Sequence, residues 1–147
     1  MTPSSRAPAP SFPISVKGVV FLDGGVVLLR NERDEWELPG GKLEHGEDPA
    51  ACLVREVGEE LAIGVAAERI LDCWRYEIAG RAEVVIVTYG CRALEAKAPR
   101  VSAEHKAVGT FPIAEIAGLD MPEGYRRSIR DWHRLEQDRV SFSQADS

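Results

Sequence analysis

The sequence predicts an α/β fold. Three observations carry that reading. Apolar, β-branched runs occupy Val16 to Arg30 and Arg69 to Arg92, an amphipathic helix opening at Asp48-Pro49 lies between them, and a second helical stretch follows Met121-Pro122. At 147 residues the chain is one domain, long enough to bury a continuous core without disulfides or structural metals.

Val16-Lys17-Gly18-Val19-Val20-Phe21-Leu22 reads as a first strand and Val26-Val27-Leu28-Leu29-Arg30 as a second. Asp23-Gly24-Gly25 supplies the backbone freedom of a hairpin between them. The charged stretch Asn31 to Glu35 loops out. Trp36-Glu37-Leu38 is a short extended piece that a turn at Pro39-Gly40-Gly41 brings to an end.

The first helix has Asp48 as its N-cap and Pro49 in its first helical position, and it runs to about Leu61. At about 100° per residue, Ala50, Leu53, Val54, Val57 and Leu61 form one apolar stripe, with Glu56, Glu59 and Glu60 beside it. One side of this helix is therefore expected on a sheet and the next side in a cleft.

Arg69 to Ile78 and Glu83 to Arg92 read as two long strands, joined as an antiparallel hairpin through Ala79-Gly80-Arg81-Ala82. Leu94 to Ala103, with no clear period and with Pro99, reads as loop. Gly109 to Phe111 is a short extended piece, Pro112 to Ile116 a turn of helix, and Glu123 to about Gln137 the final helix, with Ile129, Trp132 and Leu135 near one face. Residues 1–13 are expected to form a flexible tail, 14–137 the domain, and 138–147 a frayed end.

The hydrophobic fraction of 44% and charged fraction of 29% are those of an ordinary soluble globular protein. A net charge of -6 argues against a nucleic-acid polymer as partner, because such binding needs a basic footprint. It leaves a single nucleotide open, since a bound metal reverses the local field. No apolar run approaches the roughly 20 residues needed to span a bilayer, so no membrane role is expected. Cys52, Cys73 and Cys91 are odd in number and form no C-x-x-C pair. They read as buried thiols in a protein of the cytoplasm.

The segment Gly41 to Ile63 carries Gly-x5-Glu-x7-Arg-Glu-Val-x-Glu-Glu-x-Ala-Ile. Glu56, Glu59 and Glu60 stand at i, i+3 and i+4, so they share a helix face. A structural helix gains nothing from stacked like charges, whereas a divalent cation turns their repulsion into coordination. Within this cluster only Arg55 and Glu59 form an i,i+4 ion pair of opposite sign, which leaves a merely solvated face poorly explained.

This segment, with Leu38-Pro39-Gly40 before it, resembles the signature box of the Nudix hydrolases. Eight of the nine defined box positions match: Gly41, Glu47, Arg55, Glu56, Val57, Glu59, Glu60 and Ile63. The run Trp36-Glu37-Leu38-Pro39-Gly40-Gly41-Lys42 resembles MutT-type members in particular. The resemblance implies an α/β/α sandwich around a mixed sheet, with the box as loop–helix–loop. It also implies hydrolysis of a pyrophosphate bond in a nucleoside diphosphate linked to another group, such as a nucleoside triphosphate or ADP-ribose, assisted by Mg2+ or Mn2+. The implied partner is a small nucleotide or nucleoside diphosphate derivative, and the implied assembly a monomer or homodimer. The competing reading is a catalytically silent nucleotide-sensing module on the same fold.

Carried over position by position, the resemblance makes Glu59 and Glu60 primary metal ligands and adds the Gly40 carbonyl from the loop. Glu56 becomes a further ligand or the base that takes a proton from water. Arg55 orients the carboxylates, and with Glu47 it ties the loop below Gly41 to the helix. Glu104 resembles the family's additional acid on a late loop, either as ligand or base or as a plain loop acid. His105 beside it reads as a neighbour of the site or a solvent residue.

Arg30 and Lys42 stand where relatives place phosphate-facing cations. Trp36, Trp74, Tyr76 and Tyr125 offer rings for stacking on a base or for core packing. One box position departs: Ala62 replaces a glycine that ends the helix in a left-handed conformation. With Gly64 two residues on, a small shift of the helix exit is expected.

Overall fold

β1 (Ile14–Leu22) is the central strand of a seven-stranded sheet in a computed structural model of the chain, which describes residues 7–78, 80, 82–103, 105 and 107–145. β2 (Gly25–Arg30) follows β1 through the Asp23-Gly24 turn, and β3 (Trp36–Glu37) lies on β2. β4 (Gly40–Lys42) pairs antiparallel with β1, with Val16 opposite Gly41. After α1 (Pro49–Leu61), β5 (Val65–Ile78) and β6 (Ala82–Ala93) form the long hairpin, in which Ala79 and Arg81 lie outside the described residues. β7 (Ala107–Phe111) pairs with β2, a 3-10 helix spans Ile113–Gly118, and α2 (Glu123–Ala145) closes the fold.

β1 runs parallel to β6 and antiparallel to β2 and β4, so the sheet is mixed. The period-2 geometry of the strands then builds two cores. Val16 and Val20 of β1, with Val27 and Leu29 of β2, face Leu53, Val57 and Leu61 of α1. Val19, Val26, Leu28 and Ile86 face Tyr125, Ile129 and Trp132 of α2. A helix on each face gives the expected α/β/α sandwich.

Four local expectations change. Pro39-Gly40-Gly41 does not simply turn: Gly40 and Gly41 enter β4. Gly40 has φ 141°, and a Cβ there would strike the Val16 carbonyl, so glycine serves a close backbone approach. Val54 leaves the apolar stripe and is 41% exposed, while Cys52 is buried in its place. α1 ends at Leu61 without a shifted exit, because Ala62 itself adopts φ 58°, ψ 33°, and its N–H donates to the Gly58 carbonyl. α2 continues past Gln137 to Ala145. No Gly or Pro follows Gly124, and i,i+3 pairs such as Glu136–Arg139 brace its exposed length.

All three cysteines are free thiols. Burial pushes the Cys52 thiol up to about 11 and that of Cys91 to about 12, whereas Cys73 is exposed on β5 against the expectation. Among the described residues no helix is long and apolar enough to cross a membrane.

Candidate active site

Asp48 starts α1 from an extended conformation (φ -76°, ψ 148°), and Pro49 follows; the Asp48 side chain makes no cap hydrogen bond. The helix then aims its acidic face at β4. Gly41 makes room for the Glu56 carboxylate there, which a Cβ would displace.

The three acids occupy three different environments. Glu59 is open to solvent, its side chain 60% exposed. Glu56 is largely covered, lying over Gly41. Glu60 is buried at 5% exposure; its Oε1 accepts the Gly40 N–H at 2.9 Å, and its Oε2 is buried without a hydrogen-bond partner. Burial pushes the Glu60 carboxyl up to about 7, with Glu56 and Glu37 adding to the rise against Lys17 and the Gly40 N–H. A cavity of about 230 Å³ is lined by Glu56, Glu59 and Glu60 on one side and by Ser102 and Ala103 on the other.

Arg55 sits beside this face as its organiser. It holds Glu47 with two parallel bonds, Nε to Oε2 at 2.6 Å and Nη2 to Oε1 at 3.1 Å. Nη1 reaches Glu56 at 3.0 Å and Glu59 at 3.2 Å, and Nη2 lies 3.7 Å from Glu44. Arg55 therefore serves four carboxylates, more than the single i,i+4 pair legible from spacing. Its hydrogen bonds hold the Glu47 carboxyl down at about 2. The Glu47 Oε1 also accepts the Glu44 N–H at 3.2 Å, which closes the loop onto the helix.

Among the described residues no three His, Cys, Asp or Glu side chains form a ready-made metal cage, and the Arg55 guanidinium draws Glu56 and Glu59 to itself. The donor chemistry nevertheless fits a hard divalent cation. Glu56, Glu59 and Glu60 line one cavity with hard carboxylate oxygens, and Glu60 Oε2 is buried without a hydrogen-bond partner, with His105 Nε2 3.4 Å away.

The remaining expected residues are distributed unevenly. Arg30 engages Asp34 at 3.7 Å and lies over the Trp36 ring, 5.9 Å from its centroid, so its described contacts are not with the acids. The Lys42 side chain is exposed at the end of β4. Glu104 lies outside the described residues. Tyr125 packs edge-on to Trp74 at 5.6 Å and belongs to the α2-side core, as Trp36 does through Phe111 at 4.7 Å.

Three site residues escaped the sequence reading of roles: Lys17, Glu37 and Asn31. Lys17 is only 8% exposed, although it points from a central strand with the same alternation as Val19. Its Nζ lies 3.5 Å from the Gly40 carbonyl and 3.9 Å from Glu37 Oε1. Burial works against the ammonium, but Tyr125 and the carboxylates of Glu37, Glu60 and Glu56 keep its pKa above the ordinary lysine value.

Glu37 accepts from Asn31 at 3.1 Å and faces His105 Nε2 at 3.2 Å. Burial favours its neutral form, yet Lys17, Asn31 and His105 hold it below the usual carboxylate value. Asn31 is buried, and its Oδ1 accepts the N–H groups of Arg33 and Glu35, which folds the loop back on itself. The available signal was a lone lysine inside the apolar run Val16 to Leu22, a charge that a strand buried on both faces does not tolerate without a partner.

The profile of the NUDIX domain matches residues 12–132. A MutT-like protein of Streptomyces ambofaciens is 31% identical over 117 residues, which cover 78% of this chain and 73% of that protein. A Mycobacterium tuberculosis protein, provisionally named 8-oxo-dGTP diphosphatase 2, is 34% identical over 119 residues, covering 81% and 83% of the two chains. Among solved structures, the MutT protein from Methanosarcina mazei Go1 superposes with a TM-score of 0.74 at 22% identity, covering 88% of this chain and 99% of that one.

Proposed function

The chain belongs to the Nudix family as a pyrophosphohydrolase, and from that premise we propose that it cleaves a pyrophosphate bond in a nucleoside triphosphate, ADP-ribose or a similar nucleoside diphosphate derivative, with Mg2+ or Mn2+ as cofactor. The observation that supports this reading most strongly is the cavity wall that Glu56, Glu59 and Glu60 share, with Glu60 Oε2 buried and without a hydrogen-bond partner. A carboxylate oxygen in that position is costly unless a cation completes it.

Glu59, Glu60 and the Gly40 carbonyl would hold the ion, with Glu56 as a further ligand or as the base that takes the proton of water. When bound, the ion neutralises phosphate charge and acidifies the attacking water. Glu60 is fixed by the Gly40 N–H through Oε1, which leaves Oε2, 3.4 Å from His105 Nε2, as its ligand atom in this reading. Arg55 keeps Glu56 and Glu59 oriented and, through Glu47, anchors the Glu44–Glu47 loop. Glu104 extends the proposal as an additional ligand or base, and Arg30 and Lys42 as phosphate contacts.

The substrate in the name of the Mycobacterium tuberculosis relative is 8-oxo-dGTP. Here Tyr125, one of the rings that could stack on a base, is occupied by core packing. The substrate test must therefore span the class. Turnover of nucleoside triphosphates, ADP-ribose and diadenosine polyphosphates should appear with Mg2+ and vanish without it, and Glu60→Gln should reduce it to background while the protein stays folded. Binding of ADP-ribose without any cleavage across the panel would instead support the sensing module.

A further inference from the structure

A closed chain of polar contacts runs behind the acid face. Lys17 Nζ approaches the Gly40 carbonyl at 3.5 Å, and the Gly40 N–H donates to Glu60 Oε1 at 2.9 Å. Glu60 Oε2 lies 3.4 Å from His105 Nε2, which lies 3.2 Å from Glu37 Oε1, and that same oxygen lies 3.9 Å from Lys17 Nζ. Both neighbours of His105 Nε2 are carboxylates, so Nε2 carries the hydrogen.

Three features separate this ring from an ordinary buried ion pair. It spends an ammonium, a carboxylate and an imidazole on a part of the fold whose neighbouring positions, Val19 and Leu38, are fully buried and apolar. A buried charged group of this kind is poor value for stability beside well-packed hydrophobic side chains. Its contacts also converge on one peptide and one side chain, the Gly40 unit and Glu60. Finally, His105 belongs to the same loop as Ser102 and Ala103, which form the cavity wall opposite α1.

We propose that Lys17, Glu37 and His105, all outside the box, are positioning residues that hold the Gly40 carbonyl and Glu60 Oε2 in the geometry a divalent cation requires. The inference rests on the metal reading of Glu60. Lys17 fixes the carbonyl direction of Gly40 and balances the charge of Glu37. Glu37 orients the imidazole, and His105 keeps Glu60 Oε2 turned toward the cavity. The ring also links the far wall of the cavity to the ligands, so placement of Ser102, Ala103 and His105 and placement of Glu60 are one structural event. Residues that orient metal ligands in this way typically change metal affinity by about 10- to 100-fold when removed.

The test is Mn2+ binding to the full chain without nucleotide, followed by electron paramagnetic resonance, together with thermal melts. The variants are His105→Leu, His105→Gln and Lys17→Met. The expected result is Mn2+ affinity at least about tenfold weaker in His105→Leu and Lys17→Met. His105→Gln, whose amide can donate to both carboxylates, should recover most of the loss. A purely structural role would lower the melting temperature and leave the affinity of the folded molecules unchanged. Wild-type affinity in either His105→Leu or Lys17→Met, or a loss in His105→Gln as large as in His105→Leu, overturns the positioning ring. Glu60→Gln separates the two levels: if it binds Mn2+ as well as the wild type does, the metal reading itself fails, and the ring falls with it.

Discussion

Ala62→Gly should stabilise this protein. Ala62 holds the left-handed conformation at the end of α1, with φ 58° and ψ 33°, and its side chain is exposed, so the substitution removes no packing. An L-residue with a Cβ pays about 1 to 2 kcal/mol in that conformation. Glycine gives back about 0.4 to 1 kcal/mol through the larger freedom of its unfolded chain. The difference is a gain of roughly 0.5 to 1 kcal/mol, or about 1 to 4 °C in melting temperature for a domain of this size. Gly46→Ala is the internal control: Gly46 sits at φ 78°, and a Cβ there would meet nothing within 4 Å, so the same backbone cost should appear with opposite sign. Urea midpoints at constant slope and thermal melts measure both. An Ala62→Gly protein no more stable than wild type, alongside a destabilised Gly46→Ala protein, would refute the assigned helix ending. Turnover should be unchanged in Ala62→Gly, because all three acids lie upstream.

Two further outcomes are expected. Gly41→Ala should lower turnover by about 10²-fold, because its Cβ displaces the Glu56 carboxylate and misplacement of about 1 Å carries that cost. The melting temperature should move little, since the obstructed group is the far end of a flexible side chain; wild-type turnover in this variant would contradict the packing of Glu56 on the loop. Glu47 is held at about 2 against an ordinary value of 4.5, so its contribution to stability is fully present above about 4.5 and is lost as pH falls through about 2. Glu47→Gln should accordingly show a flatter stability profile between those limits, and a wild-type-like acid limb in that variant would exclude the Arg55 clamp as its source.

Much of the fold was legible because its elements follow local rules. The hairpins at Asp23-Gly24 and Gly80, the Asp48-Pro49 helix start and the split of valines and leucines between two strand faces all reflect periodicity and turn chemistry read over a few residues. The short strand β4 was not legible. Gly40 and Gly41 look like turn residues, and only the approach of β1 shows that their missing side chains make room for Val16 and Glu56. Likewise, nothing local distinguishes Val54, which faces solvent, from Leu53, which is buried. The end of α2 was not legible, because an exposed polar helix gives no apolar signal where it stops.

The candidate site divides along the same line. Spacing alone puts Glu56, Glu59 and Glu60 on one helix face, because that follows from 100° per residue, and the box pattern identifies the family and its reaction. Spacing cannot tell that Glu59 is open, Glu56 covered and Glu60 buried, since burial depends on what packs against the helix. Nor can it bring Lys17, Glu37 and His105 around Glu60: Glu37 and His105 are 68 positions apart in the chain, Lys17 lies further off still, and they meet only because β1, β3 and the loop before β7 pass the same point. Local geometry repeats every few residues and is written in the sequence. Long-range contact is a property of how the sheet closes around its central strand.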